Sequence, residues 1–85
     1  MIIKLEIPDY EQDGIRVFWQ KNAEYKMYAF SNSIHLVANS EALESFAKQM
    51  LYLAQAEVPK GSHVHFDEFF TGLDDIPFEF VIAKL

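Results

Sequence analysis

Residues 34–56 read IHLVANSEALESFAKQMLYLAQA, and the period of their apolar positions changes partway along. In the first five residues Ile34, Leu36 and Ala38 alternate with His35 and Val37, the two-residue repeat of a strand. From Leu43 onward, Leu43, Phe46, Ala47, Met50, Leu51 and Ala54 recur at three- and four-residue steps, which lines up one face of a helix. Between the two periods, Asn39 or Ser40 supplies a capping oxygen, while Glu41 and Glu44 favour the positive end of the helix dipole. Glu44 also precedes Lys48 by four residues, the better order for a charge pair on a helix. The helix is expected to reach Ala56, with Pro59 and Gly61 stopping it.

Upstream of this switch the two-residue period recurs. Ile3, Leu5 and Ile7 alternate with Lys4 and Glu6 before the PDYEQDG loop, in which Asp13-Gly14 is a good turn pair. Ile15, Val17 and Trp19 then oppose Arg16, Phe18 and Gln20, and Tyr25, Met27 and Ala29 oppose Lys26, Tyr28 and Phe30. Ser31, Asn32 and Ser33 make a short turn into the strand that opens the quoted stretch. Downstream, residues 63–69 and 78–85 are expected to be two further strands. The predicted fold is therefore α+β: a mainly antiparallel, twisted sheet in the order ββββαββ, with one amphipathic helix packed on one face.

Eighty-five residues without an internal repeat, and with only three Gly and three Pro, are read as a single domain, 1–85. A chain this short buries roughly 60% of its unfolded surface, so its 13 aromatic residues must supply much of the core. A helix of about 16 residues is about 24 Å long and 10 Å wide, too narrow to cover six strands about 4.8 Å apart. Phe18, Tyr28, Phe30, Val37 and Val81 would then lie on an outer face. Either the sheet curls over them or another chain covers them, and a homodimer is one such arrangement.

There is no cysteine, which excludes disulfides and thiolate metal sites and suits a reducing cytoplasm. Lys4 and Glu6 interrupt the apolar start too early for a signal sequence or a membrane span, so the chain reads as soluble and cytoplasmic. Thirteen acidic against seven basic residues give a net charge of −6. That charge disfavours nucleic acid and anionic membranes, and it either serves solubility or favours a basic protein partner. The densest acidic groups are Asp67, Glu68, Asp74 and Asp75, followed by Asp9, Glu11 and Asp13, and these are the expected partner-binding residues.

GSHVHFDEFF, residues 61–70, holds the most pointed chemistry. On a strand His63, His65 and Asp67 share one face while Val64 and Phe66 face the core. Two imidazoles and a carboxylate can converge on Zn²⁺, so these three residues form an alternative metal site. They can equally be solvent-facing strand residues, or His63 can hold the loop after the helix by bonding its backbone. No G-x-S-x-G elbow, P-loop, G-x-G-x-x-G or H-E-x-x-H occurs, so no enzyme activity and no cofactor are expected.

Residues 34–85 resemble the small immunity proteins of bacterial polymorphic toxin systems, specifically immunity family thirty-two. The resemblance rests on Ala38-Asn39-Ser40 ending a strand, a helix with Leu43 and Leu51 at apolar positions, the strand His63-Val64-His65-Phe66-Asp67, and the closing apolar strand to Leu85. The glycine usual after the capping residues is absent, and Glu41 to Leu43 stands there instead. The resemblance implies a non-enzymatic protein that binds a cognate toxin and blocks its active site or substrate. It assigns no catalytic residues.

Overall fold

The computed structural model describes residues 1–66 and 80–85. Within them the elements are β1 (Tyr25–Phe30), β2 (Ser33–Ala38), α1 (Ser40–Leu53), β3 (His63–His65) and β4 (Val81–Ala83). The class is α+β, as expected. Among the described residues the order is ββαββ, in two separate two-stranded antiparallel sheets, β1-β2 and β3-β4.

Ser31 and Asn32, at φ 46° and 65°, form the two-residue left-handed turn that matches strand twist and closes β1 onto β2. The register pairs Phe30 with Ser33, Tyr28 with His35 and Tyr25 with Ala38. On one face the Tyr28 and His35 rings stack, with centroids 4.8 Å apart. Tyr28, Phe30 and Val37 are exposed on that face, as the alternation predicts, and Val81 is exposed on β4; Phe18, expected on the outer face with them, is instead half-buried against Tyr52, with ring centroids 5.1 Å apart. At the other end of the chain, Phe66 N–H to Phe80 C=O and Lys84 N–H to Ser62 C=O extend the short β3-β4 ladder in both directions.

The expected strands around residues 3–7 and 15–20 do not form. Residues 1–24 contain no strand or helix, only turns at 12–13 and 21–22 and a single isolated bridge, Glu11 to Gly14. For residues 15–20 the reason lies in the helix. Gln49 accepts a bond from Phe18 N–H at 2.9 Å and donates one to Arg16 C=O at 2.9 Å. Gln55 does the same for Tyr10 N–H and Pro8 C=O, at 3.0 and 2.9 Å. Ser45 Oγ accepts from Gln20 N–H. The segment thus runs antiparallel to the helix, and side-chain amides give its backbone the partners a neighbouring strand would have given.

This clamp corrects the helix orientation. The buried face is Ala42, Ser45, Phe46, Gln49, Tyr52 and Leu53, turned by about one residue's 100° step from the apolar stripe. Leu43, Met50 and Leu51 are exposed, and of the predicted stripe only Phe46 lies in the core. The helix also ends at Leu53 with Ala54 as its C-cap, short of Ala56 and well before Pro59. Asn39 is the N-cap, accepting from Ala42 N–H at 2.9 Å. Glu44 accepts from Gln20 Nε2 and the Lys48 ammonium lies 4.9 Å from the Phe18 ring centroid, so each turns to the docked segment instead of to the other.

An aromatic cluster joins every layer. Phe46 lies 5.0 Å from Tyr25, 5.3 Å from Trp19, 4.9 Å from Phe66 and 5.8 Å from Phe80, centroid to centroid. The docked segment, the hairpin, the helix and the β3-β4 pair therefore share one core, and such edge-on and tilted contacts add to the area they bury.

Candidate partner-binding surfaces

The acidic loop at residues 8–14 is gripped at its start and closed on itself at its end. Gln55 grips Pro8 C=O and Tyr10 N–H, and Gly14, at φ 135°, lets the chain reverse so that its N–H returns to Glu11 C=O. Tyr10 turns inward, edge-on to Tyr52 with centroids 6.5 Å apart. Asp9, Glu11 and Asp13 all face solvent from this fixed turn. The first of the two expected acidic surfaces is thus a set of three exposed carboxylates on a constrained backbone. Asp67, Glu68, Asp74 and Asp75 lie outside the described residues.

His63 and His65 are exposed on one face of β3, Val64 is buried on the other, and Phe66 is buried beyond the strand. Their rings lie 5.0 Å apart. His63 Nδ1 lies 3.1 Å from Gly61 C=O, which is the loop-holding arrangement. Among the described residues no group of three or more His, Cys, Asp or Glu is placed to hold a metal, and Asp67, the third ligand of that reading, lies outside them.

An open hollow of about 460 Å³ lies at the base of the hairpin, lined by Glu24, Tyr25, Lys26, Val37, Ala38 and Asn39. Asn39 builds this corner. Besides capping α1, its side chain accepts from Glu24 N–H and donates to Asn22 C=O, and its own N–H bonds Glu24 C=O. Sequence reasoning missed Ser45 and Gln49 as clamping residues, although with the buried Tyr52 they follow each other at four- and three-residue spacing. That is a helical period written in polar residues, and a search for apolar stripes passes over it.

The described features are exposed turns and strand surfaces on a small α+β framework. The profile of the family described as Immunity protein 32 matches residues 33–85, and the chain belongs to that family. Its function is accordingly of the immunity class. No curated protein and no solved structure matches the chain. Among the described residues no helix is long and apolar enough to cross a membrane.

Proposed function

We propose that this protein is a non-enzymatic inhibitor that binds a cognate bacterial toxin and neutralises it through acidic surface groups. The carrying observation is the constrained turn that exposes Asp9, Glu11 and Asp13 in a chain of net charge −6. A fixed turn presents its carboxylates with little ordering cost on binding, and such groups suit a basic surface of the kind a nuclease uses for its own substrate. Asp67, Glu68, Asp74 and Asp75 complete the proposed contact from the sequence alone.

The test is capture of the partner from native cells, followed by affinity measurement at two salt concentrations. A stoichiometric basic toxin domain, released as salt rises, is the expected result. Reversing Asp9 and Asp13 to Lys, or Asp74 and Asp75 to Lys, is expected to weaken binding about tenfold or more at low salt. Unchanged affinity in both double variants would sink the acidic-contact reading.

The paired imidazoles support a second, narrower reading as ligands of a divalent cation together with Asp67. Zinc titration by calorimetry tests it: binding lost in His65→Ala supports a site, and no heat of binding removes it.

A further inference from the structure

We propose that the outer edge of β2 is a docking edge for a second copy of this chain, forming a symmetric dimer whose two hairpins join into one four-stranded antiparallel sheet. The inference does not depend on the toxin reading. It begins with the two-residue turn. Because Phe30 and Ser33 close the hairpin, hydrogen-bonded pairs alternate down the ladder, and Ile34, Leu36 and Ala38 aim their N–H and C=O groups away from β1. Among the described residues no strand lies against that edge.

The two edges of the hairpin differ. On β1 the outward positions include Tyr25 and Met27, which are 5% and 7% exposed, so the body of the protein covers that side. On β2 their register partners Ala38 and Leu36 are half-buried and 38% exposed, and Ile34, opposite the exposed Ala29, is 66% exposed, so the difference lies at Leu36 against Met27 and the edge opens toward the turn. An uncovered edge of this kind is normally protected by charge, proline or a bulge, and SIHLVA has neither charge nor proline.

Charge selects the occupant. The chain carries 13 acidic residues, yet residues 25–38 contain none, and Lys26 is their only Lys or Arg. A basic partner finds no carboxylate there. A second copy, which repels this one through its net charge elsewhere, meets no like charge across β2. Two-fold pairing about Leu36 sets Leu36 opposite its own copy and Ile34 opposite Ala38 of the second chain, so the edge is complementary to itself. Three or more strands also give a sheet the stability that an isolated hairpin lacks. The acidic turn stays outside this interface.

Sedimentation velocity on the full chain, from about 1 to about 200 µM, should show reversible dimerisation, because an edge contact falls below the roughly 800 Å² per partner of a standard interface. Leu36→Lys and Ile34→Lys, both folded by circular dichroism, should each weaken the dimer about tenfold or more by opposing charges or burying one. Leu51→Lys, on the exposed helix stripe, should leave it unchanged. Register is read by single-cysteine variants, since the chain has no native thiol. Under copper–phenanthroline oxidation, Leu36→Cys should form a covalent dimer far faster than Ile34→Cys. The paired Cα atoms at Leu36 would be about 5.5 Å apart, whereas the two Ile34 positions would be roughly 13 Å apart. A monomer at every concentration overturns the proposal, as does a dimer lost on Leu51→Lys but kept in both β2 variants. Equal cross-linking of the two cysteines overturns the register and with it the edge.

Discussion

Residues 15–20 and residues 25–30 carry the same signal, a two-residue period with apolar side chains at every odd position, and they end in different structures. YKMYAF becomes β1, paired residue for residue with β2. IRVFWQ becomes an extended segment lying along a helix, with its backbone bonded to Gln49 and Ser45. Alternation therefore reports an extended chain, and at residues 15–20 not even which side chains it buries, since Val17 is exposed while Phe18 is half-buried against Tyr52. It does not report what satisfies the backbone, because that depends on which neighbour offers donors and acceptors. For residues 25–30 a two-residue turn delivers the neighbour at once. For residues 15–20 the neighbour is a set of side chains about thirty positions further on.

Trp19→Ala gives the harshest test of this contrast. Trp19 packs edge-on to Tyr25 and Phe46, and its loss is expected to cost about 3 kcal/mol in chemical denaturation, near the lower end for core aromatics. A cost below about 0.5 kcal/mol, the range of an ordinary surface position, would mean the segment is not docked. Gln49→Ala comes next. It deprives Phe18 N–H and Arg16 C=O of their partner at a fully buried position, and should cost about 2 kcal/mol. Hydrogen exchange sharpens the reading: the Phe18 amide should be protected in the parent protein and exchange faster in the variant, while β1 amides bonded to β2 change little. Tyr28→Ala is the mildest. It removes the stack on His35 from an exposed face, and less than about 1 kcal/mol is expected. A larger loss would show that the hairpin depends on that face as much as on its core side.

The sequence made the class, the hairpin turn, the Asn39 cap and the core roles of Val64 and Phe66 legible, because each follows from local chemistry. The helix was legible as a helix but not in its orientation. Leu43, Met50 and Leu51 outweigh Ser45 and Gln49 on any hydrophobic scale, yet the latter are buried, because the extended backbone of residues 15–20 needed hydrogen-bond partners that only polar side chains could give. Tyr52 shows the limit of that exchange: its ring is buried against Tyr10 and Phe18 while its hydroxyl finds no partner among the described residues. At the candidate surfaces, the exposure of Asp9, Glu11 and Asp13 and the shared face of His63 and His65 followed from turn and strand rules. The edge of β2 did not, since it becomes visible only when, among the described residues, no strand lies beside it.

The grip of Gln55 on the acidic turn acts on peptide groups and not on the side chains between them. Pro8 C=O and Tyr10 N–H would be held in the same way whatever residues stood at positions 9, 11 and 13. The mooring is indifferent to the cargo it presents. Under the toxin contact proposed above, a lineage could therefore rewrite those three positions to follow a changing opponent without rebuilding the berth, so long as Gln55 and the glycine at position 14 stay in place.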